Sequence, residues 1–512
     1  MRSRKYNALC TSTESLEIRE VKAAAITATL SASGVLVVNG TDKQDIVHVV
    51  SDSSSVVVQR FQLFPAGPSG PLIEIPVGIV QISVSGRLQG SVQRNQVNSL
   101  RLSIGKGDDR VTLLSDLNST VFGGEGNDLL IGGAGKDTMY GDAGNDKLNG
   151  YNGCDVLWGG DGNDRLDGGN NGDLLNGDNG DDVIYGGSGD DQINGGSGRD
   201  SMYGQDDRDT LIAIDGAFSD WVDGGNGNDL LWIDSNSLRD STSNVSSADV
   251  VQAVARFQNG ADLTLNGDRI NDPYSEGYTT HNYSSLRLFA SSGPSIRDIK
   301  QGYVGDCWLM SAMGELALRN PYVVRSRIVD FGDGTFGVKL SNSFYRIDGD
   351  LPVSNSHLAF ADFGLENSAW VALYEKAFAL HRNSISDRYG DLNSGWSSEA
   401  FHAFGLNAGK TDLDVFNRAT MANAMWASWS LGAHLTVASV FYARDSVLVS
   451  NHVYMVTGFI RSSMTGLVTS ITLRNPYGTD GGTLNDGTND GVVTLTIAQF
   501  LRSVRAVELA TI

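Results

Sequence analysis

Gly159-Gly160-Asp161-Gly162-Asn163-Asp164-Arg165-Leu166-Asp167 is one of ten nine-residue units that follow one another without a gap from Gly123 to Ile212. Every unit carries Asp at its sixth position: Asp128, Asp137, Asp146, Asp155, Asp164, Asp173, Asp182, Asp191, Asp200 and Asp209. The eighth position is Leu, Ile or Met throughout, from Leu130 and Met139 to Met202 and Leu211. A carboxylate period and an apolar period thus run in phase, which a flexible glycine-rich linker has no reason to keep. Glycines reach backbone conformations that a Cβ forbids, turning carbonyl oxygens toward a common point where the Asp carboxylate completes an oxygen cage for a hard cation such as Ca²⁺. The three residues after each turn read as a short strand whose middle side chain points inward. One unit cannot bury that single side chain alone, so the units are expected to stack into a parallel β-roll.

Residues 123–212 hold nineteen Asp or Glu against five Lys or Arg, a balance of −14 out of −22 for the whole chain. Such a segment repels itself without cations, and it is expected to be disordered in chelator and to fold at calcium concentrations of roughly 10⁻⁴ to 10⁻³ M. The GGxGxDxUx pattern resembles the RTX family of secreted calcium-binding repeats. Asp142, Tyr151, Asp178 and Gln205 replace the second Gly of their units, and Asn171 and Asp207 the fourth. A further unit, Gly224-Gly225-Asn226-Gly227-Asn228-Asp229, follows a short break, which adds Asp229 to the candidate calcium ligands, and Gly105-Lys106-Gly107-Asp108-Asp109 is a degenerate copy upstream.

At 512 residues with 40% apolar content, the chain is long enough for two or three domains with real cores. Its acidic balance argues against a nucleic-acid partner, and no apolar run approaches the eighteen residues of a transmembrane helix. Cys10, Cys154 and Cys307 lie in different segments and do not suggest a disulfide framework. Basic Met1-Arg2-Ser3-Arg4-Lys5 is not followed by the apolar stretch of an ordinary signal peptide.

A second decisive segment is Gln301-Gly302-Tyr303-Val304-Gly305-Asp306-Cys307-Trp308-Leu309-Met310. A Gly-rich turn here precedes a buried-helix pattern and puts Cys307 in the first turn, where unpaired N–H groups and the helix dipole favour thiolate. Gln301 offers a side-chain amide that can share an oxyanion with the Cys307 N–H. Asn451-His452-Val453-Tyr454 starts one strand and Leu473-Arg474-Asn475-Pro476 ends the next. On adjacent strands the Asn475 amide oxygen can accept the imidazole N–H and aim the other nitrogen of His452 at Cys307.

These segments resemble calpain-type cysteine proteases, a branch of the papain-like fold, over residues 270–512. The likeness includes the QGxxGDCW block, Arg346-Ile347-Asp348-Gly349-Asp350-Leu351-Pro352-Val353, the Trp370 to Ala379 helix, and the His and Asn-Pro blocks. It implies Cys307 as nucleophile, His452 as general base and acid, Asn475 as orienter and Gln301 as oxyanion donor, hydrolysing internal peptide bonds through a thioester. It further implies a calcium site built from the Gly293 carbonyl, Asp298 and Glu375; Glu375 could instead serve only as an ion-pair partner. A second ion is typical of the family, but Thr479 to Asp490 does not align well enough to name ligands. Tyr477 stands where the family usually has Trp, the residue that shields the catalytic hydrogen bond.

The expected architecture is multidomain: a leader-like segment at 1–26, a β-rich cap domain at 27–121, an RTX calcium-binding β-roll at 122–232, a linker at 233–269 with a helix at Ala248 to Gln258, and an α+β papain-like calpain catalytic domain at 270–512. The expected function is a calcium-dependent cysteine endopeptidase, secreted or at the cell surface, acting on protein or peptide substrates with Ca²⁺ as cofactor. The alternative is a calcium-dependent surface or adhesion protein whose papain-like domain is catalytically silent.

Overall fold

The computed structural model describes residues 26–65, 72–79, 82–84, 87–235, 240–259, 261, 270, 273, 278–301, 305–354, 357–359, 361–382, 392, 394–412, 418–439, 448–477 and 491–511. The leader-like segment up to residue 25 and the Thr479 to Asp490 stretch lie outside them. The chain forms two compact units, Met1–Asp161 and Gly162–Ile512.

In the first unit the strands Val35–Thr41, Ser99–Lys106, Ser119–Glu125, Asp137–Ala143 and Val156–Asp161 stack in parallel, and a second sheet is built from Ile46–Ser51, Arg110–Leu114, Leu129–Ile131 and Lys147–Asn152. Units eighteen residues apart pair in register, Met139 opposite Leu157 and Leu130 opposite Leu148, so alternate units feed opposite sheets. Their inward side chains are at most 2% exposed, and each contributes on the order of 1.5–3 kcal/mol. The parallel stacking does not begin where the nine-residue pattern does, because Leu36 and Leu100 already pair in the same manner. Antiparallel partners, Thr27–Leu30 on one sheet and Ser55–Pro65 on the other, cover its start.

The turns hold their geometry even where glycine is missing. Asp142, Tyr151, Asn171, Asp178, Gln205 and Asp207 all take φ between 69° and 80°, a region costly for side chains other than Asn and Asp. Stacking on both sides enforces it. Tyr151→Gly is therefore expected to stabilise the calcium-loaded chain by about 1 kcal/mol, read as a rise in urea midpoint at unchanged slope.

In the second unit the same stacking runs through Leu174–Asn179, Gln192–Asn194, Thr210–Ala213, Leu230–Asp234 and Val250–Val254. The helix expected over Ala248 to Gln258 is instead this last strand, paired in parallel with Leu230–Asp234. The Asp249 carboxylate accepts the Asp229 N–H at 3.0 Å, as each repeat Asp accepts from the coil before it, and this register outweighs the helical preference of Gln and Ala.

Beyond it lie helices α1 (Cys307–Arg319), α2 (Pro321–Arg325) and α3 (Trp370–Arg382), a small antiparallel sheet of Ile328–Asp330, Thr335–Leu340 and Ser343–Asp348, and a six-stranded antiparallel sheet. In the larger sheet His434–Ser439, Val453–Arg461 and Val468–Arg474 are successive neighbours. Helix α1 is buried from Cys307 to Ala317, and Trp308 and Trp370 are core residues as their pattern suggests. Gly314 lies so close to Met455 that any Cβ there would collide with its sulfur, so this one glycine sets how near the Cys307 helix comes to the His452 strand.

Candidate active site and calcium turns

Cys307 opens α1, with Asp306 at the N-cap and Trp308 anchored by its indole N–H to the Leu392 carbonyl at 2.9 Å. His452 immediately precedes the strand Val453–Arg461, and Asn475 follows the neighbouring strand, where Met455 pairs with Arg474. The two side chains meet: His452 Nε2 and Asn475 Oδ1 are 2.9 Å apart. Since an amide oxygen only accepts, Nε2 carries the proton and Nδ1 is left for the sulfur. The Tyr477 N–H also donates to Asn475 Oδ1, at 3.1 Å, fixing that oxygen from a second side.

The imidazole is held on several faces. Tyr477 stacks on it with ring centroids 5.1 Å apart and planes 5° from parallel, and Tyr454 meets it edge-on at 5.1 Å. Ser439 Oγ accepts the His452 main-chain N–H at 2.9 Å and donates to the Val449 carbonyl at 2.6 Å. Tyr454 OH in turn accepts the Val449 N–H at 2.7 Å. Sequence reasoning missed Ser439 and Tyr454; the signal for Tyr454 was its place two residues after His452, on the same strand face. Tyr477 covers the ring with an aromatic side chain where the family's Trp would lie.

The Val453 main chain, one residue past His452, acts to lower the Cys307 thiol. Burial pushes its thiol up to about 11, with Asp306 adding to the rise, so the helix tip does not by itself yield the expected thiolate. Burial also brings the His452 imidazole down to about 4, against the hydrogen bond to Asn475. In this arrangement both groups are neutral at pH 7, and ionisation requires sulfur and Nδ1 to close on each other. The Gln301 main chain donates to the Pro476 carbonyl at 2.9 Å, which ties Gln301 to the Asn475 turn.

Gly293, Asp298 and Glu375 are each engaged within the protein. Asp298 accepts from the Ser295 and Leu365 N–H groups and the Trp370 indole at 2.8–2.9 Å. Glu375 accepts the Ala361 N–H at 2.7 Å, and burial raises its carboxyl and that of Asp306. Gly293, in the left-handed region at φ +77°, closes a turn on the Ala290 carbonyl. As they stand these residues do not fit a shared ion.

The roll turns do. Among the described residues no three His, Cys, Asp or Glu side chains cluster as a metal site, because each turn offers one carboxylate against main-chain carbonyls. In Asp128, Asp146, Asp155, Asp182, Asp191, Asp200, Asp209 and Asp229 one oxygen accepts the N–H of the Asp one coil earlier, as from Asp164 to Asp182 and from Asp191 to Asp209 at 2.7 and 2.9 Å. The other oxygen of Asp128, Asp182, Asp191, Asp200, Asp209 and Asp229 is buried without a hydrogen-bond donor. Asp137, Asp146, Asp155, Asp164 and Asp173 are buried in equivalent places. A Cβ on Gly177 would collide with Asp182 Oδ2 and the Gly195 carbonyl, so glycine clears the point where these oxygens converge. That is an oxygen set suited to Ca²⁺. The ladder also takes in Asp109, Asp220, Asp240 and Asp249, which a strict nine-residue period does not reach because the spacing is nineteen residues before Asp128 and twenty in the later coils.

Residues 279–487 match the calpain family of cysteine proteases, and four copies of the RTX calcium-binding nonapeptide repeat match 115–148, 140–175, 176–211 and 212–234. Similar curated proteins include the calpain-1 catalytic subunit of Bos taurus, 29% identical over 37% of this chain and 28% of that protein, and human calpain-8, 31% identical over 37% and 29%. The calpain-2 catalytic subunit of Gallus gallus is 28% identical over 38% and 30%. The chain thus spans under a third of the length of these relatives. RTX repeats bind calcium and calpains depend on it, and the chain joins segments that match RTX calcium-binding repeats to a segment that matches the calpain family of cysteine proteases.

Proposed function

We propose that the chain is a calcium-dependent cysteine endopeptidase in which Cys307 is the nucleophile, His452 the base and acid, Asn475 the orienter and Gln301 the oxyanion donor, with a roll that folds on extracellular calcium. The observation that carries this reading is the 2.9 Å contact of His452 Nε2 with Asn475 Oδ1 beneath Tyr477, on the strand whose main chain acts to lower the Cys307 thiol. His452 Nδ1 takes the thiol proton as Sγ attacks a substrate carbonyl. The Cys307 N–H and Gln301 amide hold the oxyanion, and the imidazolium returns its proton to the departing amine, leaving a thioester for water to hydrolyse. Calcium bound in the turns neutralises the acidic roll. No helix among the described residues is long and apolar enough to cross a membrane. With RTX-type turns, this supports export of the chain or display at the cell surface.

The rival reading, a silent papain-like domain on a calcium-dependent adhesion protein, draws on the buried, neutral thiol. Titration with an epoxide thiol inhibitor in calcium separates the two. One equivalent on Cys307, blocked by a competing peptide, is expected; Cys154, exposed and far from any histidine in sequence, should label slowly and without competition. Absence of competed labelling on Cys307 would overturn the enzyme reading.

A further inference from the structure

The outer face of the roll's last coils changes character. Leu211 and Leu231 point inward, so Ile212 and Trp232 beside them face out. Asn194, Ile212, Trp232 and Gln252 pair in register across four consecutive strands and form one row on that face. Elsewhere in the second unit the corresponding position holds Asp167, Asn176, Tyr185 or Tyr203, but Ile212 and Trp232 are both fully buried.

What covers the row is the small sheet of Ile328–Asp330, Thr335–Leu340 and Ser343–Asp348. Trp232 meets Phe331 and Phe344 edge-on, with centroids 6.2 and 5.7 Å away. Asn194 Nδ2 donates to the Phe331 carbonyl at 2.6 Å, and Gln252 Nε2 to the Ser326 carbonyl at 2.7 Å. Gln252 Oε1 accepts from Lys339 Nζ at 2.6 Å. The opposite side of this sheet, with Phe336, Val338 and Ile347, belongs to the core that holds α1 and α3. One sheet therefore lies between the roll and the helix that carries Cys307.

The four residues of the row come from four coils, and only stacking at the right register assembles them. That register is set by the Asp ladder: Asp209 and Asp229 accept main-chain N–H groups at 2.9 and 3.0 Å immediately before the strands that present Ile212 and Trp232. We propose that the row Asn194, Ile212, Trp232 and Gln252 is a calcium-assembled docking surface for the protease domain, so that ion binding in the roll sets the stability of the domain that holds Cys307. The inference rests on the roll binding calcium and not on the peptidase chemistry. It makes the roll a built-in folding partner of the protease domain.

Amide hydrogen exchange on the full chain tests it, with circular dichroism following the roll. As calcium rises, protection of Thr335–Leu340, Ser343–Asp348 and α1 should appear at the same midpoint as the roll's β-signal. Full protection in EGTA, with the roll unfolded, would overturn the proposal. Trp232→Asn restores a residue type the repeats use at that position, so the roll should fold at an unchanged midpoint while exchange in the small sheet rises on the order of 10²-fold. Gln252→Ala, which creates little cavity, should raise it severalfold; Tyr203→Asn, on the other sheet of the roll, should leave it unchanged. Equal protection in wild type, Trp232→Asn and Gln252→Ala would also refute the docking role. Loss of hydrolysis in an otherwise protected wild-type chain would count against the peptidase reading alone.

Discussion

Cys307→Ala is expected to lower kcat/KM for a protein substrate by on the order of 10⁵- to 10⁶-fold, the scale on which losing a covalent nucleophile acts. By the proposed mechanism Sγ forms the acyl bond, and no second thiol stands on the His452 strand Val453–Arg461. Asn475→Ala should cost less, up to about 10⁴-fold, because Tyr477, Tyr454 and Ser439 still hold the imidazole after its hydrogen bond is lost. The ordering of the two variants is the informative part. A silent domain would show neither loss, since there would be no activity to remove. Undiminished casein hydrolysis by Cys307→Ala in calcium would refute the mechanism. Both variants should keep the wild-type calcium midpoint of the roll, which excludes misfolding as the cause.

The ionisation of the pair adds a kinetic consequence. With the thiol held up to about 11 and the imidazole down to about 4 by burial, the attacking species depends on the two atoms closing together and shedding water. Gly314 against Met455 and the Gln301 to Pro476 hydrogen bond fix that approach from either side. On the proposed mechanism, activity is expected to depend on how α1 sits against the His452 strand, and α1 belongs to the core that also takes in the small docking sheet.

Much of this was legible in the residues themselves. The coincident Asp and Leu periods announce parallel stacking with calcium turns, because a period-nine repeat with one buried side chain per unit has few other ways to hide it. Cys307, His452 and Asn475 were singled out by the helix start, the strand start and the strand end beside which they lie. What lay hidden depends on three-dimensional register. Val250–Val254 reads locally as a helix, yet Asp249 joins the ladder and draws it into the sheet. The parallel stacking already present at Leu36 and Leu100 has no glycine pattern to mark it. Burial raises the Cys307 thiol and the Asp306 and Glu375 carboxyls, since which groups end up inside a core is settled by packing. Ser439 binds His452 from a strand thirteen residues away, which no local motif encodes.

Chelation of calcium is expected to have the largest effect on structure: the roll should lose its β-signal and the chain should expand, with recovery at roughly 10⁻⁴ to 10⁻³ M Ca²⁺. The carboxyls show why. Burial, reinforced by neighbouring carboxylates, pushes Asp191 and Asp200 up to about 7, Asp182 and Asp209 to about 8 and Asp220 to about 9, although each accepts a main-chain N–H that acts the other way. A carboxyl raised in the fold above its unfolded value favours the folded state when protonated. Its contribution is whole below about pH 4, shrinks as pH rises and is gone above about pH 9. In EGTA the roll should consequently retain most structure near pH 5 and little at pH 8. A cation placed among these oxygens takes over the protons' role, so calcium binding releases protons and its midpoint should fall as pH rises from 5 to 8. Circular dichroism titrations at three pH values read both effects. A midpoint that does not move with pH, or a full β-signal in EGTA at pH 8, would show that the ladder is held by something other than the ion.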